Sequence, residues 1–206
     1  MKYPQIGKFA LDFKSNAQFR LRSYQDVFSD ESYLVLQNAF EKVPWVRKET
    51  SFYEQYESFV QPNDQHALAC LYDPSFFFPF KEKLEAQLGI QFQNRIRLAA
   101  HKLIQADAIG LHNDYTQPEL GHENYRFIFQ FSKNEPVVGG ELSFWKSKYT
   151  KEILQKFPYQ RNYGVCFEIT PNSYHSVEPV LGERYTIVMY LWEKGRPHNG
   201  LGFVVH

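Results

Sequence analysis

The second half of the chain alternates between polar and apolar positions. In RYTIVMYLW (184–192), Arg184, Thr186, Val188, Tyr190 and Trp192 share one face of an extended strand, and Tyr185, Ile187, Met189 and Leu191 share the other. YRFIFQF (125–131) repeats the pattern, with Arg126, Ile128 and Gln130 opposite Phe127, Phe129 and Phe131. Both strands therefore carry polar groups on a face that need not be the solvent side. RIRLAAHKLI (95–104), GGELSFW (139–145) and YGVCFEI (163–169) are further short runs rich in β-branched and aromatic residues, separated by turn residues. No helical pattern between them is long enough for a βαβ crossover, so they predict an antiparallel sandwich or jelly roll.

The first 90 residues read differently. Ser29 followed by Asp30 and Glu31 is a helix start, a side-chain cap with acids against the positive helix end. That helix is expected to run to about Phe40, with Tyr33, Leu36 and Phe40 on one face, and to stop before Pro44. SFYEQYESF (51–59) fits a helix and a strand equally well. Asp73–Pro74 opens a second helical stretch, best over Phe80–Leu88 and closed by Gly89. The expected plan is a single mainly β (α+β) domain. Residues 1–90 form a largely helical support, 91–195 the β core that holds the chemistry, and 196–206 a C-terminal tail.

Composition narrows the function classes. At 206 residues the chain is long enough to bury a sizeable core. Its 23 basic and 23 acidic residues cancel, leaving no field that favours nucleic acid or an anionic membrane as a partner. Cys70 and Cys166 are far apart and form no CxxC pattern, so two free thiols are expected. MKYPQIGKFALDFKSN has no continuous apolar core of the signal-peptide kind, and no segment reaches membrane-span length. These features set the expectation of a cytoplasmic location; oligomeric state is not legible.

Candidate chemistry begins in GLHNDYTQ (110–117). If Leu111–Tyr115 is extended, His112 and Asp114 project to one face, able to share a proton or a metal ion. His175 lies in the turn-rich NSYHSVEPV (172–180), and Arg184 follows nine residues later, across LGE. Two histidines and one carboxylate match the set that holds non-haem Fe(II) and leaves three positions open. Arg184 supplies a fixed cationic fork for a carboxylate, and Thr186 a hydroxyl on the same face. A Zn(II) hydrolase uses similar ligands, but it needs a general base and the chain has no HExxH motif. A non-catalytic cupin-like metal or ligand-binding module is another class, although it has no use for a carboxylate receptor at Arg184 and Thr186.

HND (112–114), GGELSFW (139–145) and HSVEPVLGERYT (175–186), in that order and spacing, resemble the Fe(II)- and 2-oxoglutarate-dependent oxygenases, in their prolyl-4-hydroxylase-like branch, over about residues 96–192. The resemblance implies a double-stranded β-helix with the metal at its open end. It implies Fe(II) on His112, Asp114 and His175, and 2-oxoglutarate with its distal carboxylate on Arg184, helped by Thr186. Gln130 lies on the strand where relatives often offer a tyrosine to the co-substrate, and Leu103 stands about where many have another. The implied reaction consumes O2, decarboxylates 2-oxoglutarate to succinate and usually hydroxylates an unactivated C–H. With Asp114 present, hydroxylation or a related desaturation or cyclisation is implied, and not halogenation. The expected substrate is a small molecule, a free amino acid or a natural-product intermediate; the alternative is peptidyl-proline or another protein side chain. Pocket candidates are Tyr115 and Gln117, on a loop that follows the ligand pair, and Arg126, a second anion-binding group or a partner of Glu123 or Glu141. Trp192 lines the pocket or fills the core. His101 reads as a structural histidine on a β-face, and His66 as solvated.

Overall fold

The computed structural model describes residues 3–62, 65–132 and 137–206. The first 90 residues form β1 (Ala10–Ser15), β2 (Leu21–Gln25), α1 (Asp30–Ala39), β3 (Val46–Glu49), β4 (Glu54–Val60) and α2 (Pro74–Leu88). There follow β5 (Phe92–Ile104), β6 (Ile109–His112), β7 (Tyr125–Phe131), β8 (Val138–Gly139), β9 (Leu142–Trp145) and β10 (Ile153–Phe157). The chain closes with β11 (Tyr163–Glu168), β12 (His175–Val177), β13 (Val180–Leu181), β14 (Glu183–Glu193) and β15 (Phe203–Val204).

Among the described residues, nine strands make the larger sheet, ordered β1-β2-β11-β7-β14-β5-β4-β3, with β15 also on β5. A four-stranded sheet, β10-β9-β12-β6, faces it, and β8 pairs with β13 in a short ribbon. Every pairing is antiparallel. This is the expected double-stranded β-helix, and the alternation of β7 and β14 explains it. Phe127, Phe129, Phe131, Ile187, Met189 and Leu191 pack outward against α1 and α2, meeting Tyr33, Leu36, Phe76, Phe80 and Leu84. Ile128, Val188, Tyr190 and Trp192 turn inward, with Phe167 of β11, toward Leu142, Phe144 and Val177 of the smaller sheet.

The helices form where capping predicts. Ser29 accepts from the Ser32 amide at 3.3 Å, and Asp73 accepts from the Ser75 amide at 2.8 Å with Pro74 in the first turn. Gly89, at φ +69°, stops α2. The support region is nonetheless only partly helical. Four of its strands extend the larger sheet, and SFYEQYESF resolves as β4, paired with β5 from Tyr56↔Lys102 to Val60↔Leu98. Local pattern leaves that segment undecided; the free edge of β5, with its row of unpaired backbone groups, decides it.

Among the described residues no helix is long and apolar enough to cross a membrane. Cys70 and Cys166 are both free. His66, expected to be solvated, instead bonds Ser58 Oγ through Nε2 at 3.2 Å and accepts from the Leu68 amide at 3.1 Å.

Phe127 is the centre of the outer core, fully buried among Phe9, Tyr24, Phe80 and Phe129 with ring centroids 4.5–6.0 Å away. Its partner strand carries Gly164, where a Cβ would fall 2.4 Å from Phe127 Cζ. Phe127→Ala is expected to cost about 3–5 kcal/mol of stability, read as a lower urea midpoint at an unchanged denaturant slope.

Candidate active site

β6 and β12 bring the histidines together. His112 and His175 are direct partners across this antiparallel pair, with ring centroids 4.3 Å apart. The strand ends at His112, shorter than the extended Leu111–Tyr115 of the sequence reading, so Asp114 stands on the outgoing loop. Asn113 Nδ2 anchors that loop, donating to Pro171 O at 3.0 Å. Asp114 still converges with the histidines. Its Oδ2 lies 3.2 Å from His175 Nε2, and its Oδ1 3.7 Å from His112 Nε2. The three ligand atoms lie within 4.8 Å of one another.

The donor set fits a metal on chemical grounds. Both Nδ1 atoms are engaged with backbone carbonyls, His112 with Gly110 O at 2.8 Å and His175 with Ser173 O at 2.9 Å. A carbonyl requires Nδ1 to carry the proton, so both Nε2 lone pairs point at the common centre. Burial, reinforced by His175, pushes the His112 imidazole down to about 4, leaving it neutral as a ligand must be. Burial opposes the Asp114 charge, but Arg126, His175 and His112 outweigh it and hold the carboxyl well below its usual range.

Arg126 is the strongest neighbour of that carboxylate. Its Nη1 donates to Asp114 Oδ2 at 2.6 Å and its Nη2 to Glu123 Oε1 at 3.1 Å, while its guanidinium lies 4.9 Å above the Tyr190 ring. Of the two expected ion-pair partners, Glu123 takes the arginine and Glu141 pairs with Lys156 at 3.6 Å.

His112, Asp114, His175, Arg126 and Tyr190 line a cavity of about 170 Å³ between the sheets, together with His101, Thr186, Val188 and Arg184. Arg184 is buried, its Nε donating to Gly140 O at 2.9 Å and its guanidinium 5.3 Å from the Tyr159 ring. Its Nη2 is buried without a hydrogen-bond partner among the described residues. An orphaned cationic donor aimed at a cavity fits an anionic ligand. Burial lowers this guanidinium's pKa, with Tyr159 opposing.

The glycine pair in GGEL makes room for it. At Gly140, with φ +72°, a Cβ would fall 2.9 Å from Arg184 Cδ; at Gly139, with φ +79°, it would fall 2.0 Å from Pro179 O. Gly140→Ala is therefore expected to displace Arg184 and raise the KM for an anionic co-substrate about tenfold, leaving metal affinity unchanged. Matched co-substrate and Fe(II) titrations check both halves. That effect corresponds to roughly 1.4 kcal/mol, within the range for strain at a left-handed position.

Other expected residues are placed as follows. Gln130 is buried beside Thr186, its Oε1 accepting from the Gln160 amide at 2.9 Å and its Nε2 unpartnered among the described residues. It sits behind the cavity wall and not on it. Leu103 is buried opposite Arg184, and a tyrosine does reach that corner, but it is Tyr159 from the turn between β10 and β11. The Tyr159 hydroxyl donates to the Phe131 carbonyl and accepts from the Tyr185 amide at 2.9 Å. Tyr115 and Gln117 are exposed and do not line the cavity. Trp192 points inward like Tyr190 but lies one pair further along β14, fully buried, with Nε1 donating to Gly121 O at 2.9 Å. It fills the core. His101, read as structural, does line the cavity; burial pushes its imidazole down to about 3, with Arg126 and Arg184 adding to the effect.

A wall the sequence did not reveal comes from β4 and the turn before it. Phe52, Tyr53, Gln55 and Glu57 line the cavity, and Phe52 packs on His112 at 4.9 Å between ring centroids. The same-face spacing of residues 53, 55 and 57 was the available signal, legible once the segment is known to be a strand.

Residues 98–192 match the family described as the 2OG-Fe(II) oxygenase superfamily. The match spans the ligand set, the glycine pair and Arg184. It covers 95 of the chain's 206 residues. The similarity supports a 2-oxoglutarate-dependent dioxygenase, in a family that uses Fe(II), 2-oxoglutarate and O2. No curated protein matches the oxygenase in sequence. Solved structures do match in fold. A prolyl hydroxylase from Trichoplax adhaerens, in complex with a peptide fragment of the hypoxia inducible factor oxygen degradation domain, superposes with TM-score 0.67 at 12% identity, covering 84% of each chain. A Pseudomonas putida prolyl-4-hydroxylase gives TM-score 0.67 at 10% identity over 87% of this chain and 95% of that one. A viral collagen prolyl hydroxylase from Paramecium Bursaria Chlorella virus-1, with 2OG bound, gives 0.60 at 14% over 83% and 94%. The fold of the oxygenase is thus that of the prolyl-hydroxylase-like branch.

Proposed function

We propose that the oxygenase hydroxylates an unactivated C–H of a small molecule, a free amino acid or a natural-product intermediate. In the balanced reaction, R–H, 2-oxoglutarate and O2 give R–OH, succinate and CO2, with two electrons from the C–H bond and two from the oxidative decarboxylation. The observation that carries the reading is a cavity with converging Nε2 and Oδ atoms on one wall and the orphaned Arg184 on another. Bound Fe(II) supplies oxygen activation.

The chain's own residues do the rest. His112, Asp114 and His175 hold the metal on one face. Arg184 receives the distal carboxylate of 2-oxoglutarate, and Thr186, paired with Gln130 on the neighbouring strand, adds a hydroxyl. Arg126 fixes the Asp114 carboxylate through a charge-assisted bond and is itself held by Glu123 and the Tyr190 face. Ile128, Val188 and Phe167 keep the reacting end dry. A cytoplasmic, reducing setting suits the two unpaired thiols.

A second reading is hydroxylation of peptidyl-proline or another protein side chain. Phe52, Leu111 and Tyr115 are exposed beside the ligand loop, an apolar rim able to receive a polypeptide. Succinate release from the iron-loaded enzyme separates the two, with a panel of small molecules set against proline-rich peptides and the oxygenated product identified by mass spectrometry. A response to peptides alone transfers the assignment to the second reading. An enzyme that binds Fe(II) without forming the visible charge-transfer band of the 2-oxoglutarate chelate is not this oxygenase.

A further inference from the structure

We infer that the substrate carries a positively charged nitrogen, seated on Glu57 in the β4 wall of the cavity. This rests on the oxygenase reading of the cavity and names the chemical class of what it takes. Glu57 is half-buried, opposite His101 across the β4–β5 pair, and lines the same cavity as the metal ligands. It accepts from Gln55 Nε2 at 2.7 Å and from the Tyr53 hydroxyl, and has no cationic partner among the described residues. The other ionic groups of the site are matched. Asp114 and Glu123 are bonded to Arg126, and Arg184 answers one carboxylate of 2-oxoglutarate.

Counted as formal charges, Fe(II) and doubly ionised 2-oxoglutarate cancel, and Asp114 with Glu123 cancel Arg126 with Arg184. Glu57 is left over. His101 opposite it is neutral, and the next cation on this face, Arg97, lies outside the cavity, stacked on Tyr190 at 4.1 Å and on Phe59 at 5.6 Å. A carboxylate in a cavity wall that loses water when substrate enters needs a cation to replace it. Phe52 and Tyr53, beside Glu57, add aromatic rings to the same wall, and such rings favour a cation over a neutral group. The recognised group is a side-chain alkylammonium or guanidinium, which free lysine, free arginine and amines share with the lysine and arginine side chains of a polypeptide.

The test uses the iron-loaded enzyme with 2-oxoglutarate. Succinate release is measured with Nα-acetyl-L-lysine and Nα-acetyl-L-arginine against Nα-acetylnorleucine and Nα-acetylcitrulline, which carry no cationic nitrogen, and with lysine and arginine inside short end-blocked peptides in a parallel arm. Cationic probes are expected to exceed their neutral counterparts by about tenfold to a hundredfold in kcat/KM, the scale of one hydrogen bond to a charged group. Glu57→Gln, which keeps the contact with Gln55, is expected to remove that preference while the chelate band forms as in wild type. The arm that responds identifies the source as free or peptide-borne. Equal response to Nα-acetylnorleucine and Nα-acetylcitrulline, an unchanged preference in Glu57→Gln, or no response to any cationic probe from an enzyme that forms the band each overturns the inference and leaves the oxygenase reading standing. Failure of the wild-type band overturns that reading, and the inference with it.

Discussion

Asp114→Ala is expected to abolish 2-oxoglutarate turnover, with succinate release reduced by at least about a thousandfold. A bound metal contributes several kcal/mol to such chemistry, and each 1.4 kcal/mol is tenfold in rate. The variant loses the one anionic ligand, and it leaves two imidazoles facing Arg126. The guanidinium that steadies Asp114 in the native site then stands beside the metal position with Glu123 as its remaining carboxylate, so its charge opposes the cation directly. Fe(II) affinity is accordingly expected to fall further than the loss of a ligand alone predicts. Asp114→Ala combined with Arg126→Met is expected to recover part of that affinity, because the repulsion goes with the arginine. Anaerobic Fe(II) titration of wild type and both variants checks this. Undiminished Fe(II) binding in Asp114→Ala would remove the residue from the ligand set.

Legibility in the sequence followed the range of the interactions involved. The alternation in β7 and β14 is a local property of nine or fewer residues, and it correctly separated the helix-facing phenylalanines from the cavity-facing Arg126, Thr186 and Arg184. The spacing of His112 and Asp114 was informative although the strand stops between them, since the two side chains need only converge. Facts set by pairing between distant segments were not legible. Nothing in the order of residues announces that His175 lies directly across from His112, or that Tyr159 reaches the corner where Leu103 does not. The β4 wall is the clearest case. EQYESF has the composition of either element, and its role as a wall follows from docking on the β5 edge. Trp192 shows a further limit. Strand alternation gave its face correctly, but face alone does not say how far along the sandwich the cavity extends.

Arg184→Met is expected to separate stability from co-substrate binding, moving the two in opposite directions. In the absence of 2-oxoglutarate, Arg184 is a buried cation satisfied only by Gly140 O and the Tyr159 face, with Nη2 orphaned among the described residues. An unpaired buried charge destabilises the fold, and an apolar side chain of similar length removes that penalty, so the free variant is expected to melt at or above the wild-type temperature. Binding responds the other way. Truncating one side of a buried charge-assisted pair costs about 2–5 kcal/mol, which raises the KM for 2-oxoglutarate by at least about thirtyfold. Saturating 2-oxoglutarate with Fe(II) should therefore raise the Tm of wild type and leave that of Arg184→Met nearly unmoved at the same concentration. Arg184→Lys is expected to recover little, because a point charge cannot reproduce both the Nε bond to Gly140 and the fork to the carboxylate. Thermal melts with and without 2-oxoglutarate, beside initial rates at varied 2-oxoglutarate, give both quantities. A variant that saturates at the wild-type concentration would place the distal carboxylate elsewhere. A variant that melts well below wild type when free would mean that Arg184 serves the fold as much as the co-substrate.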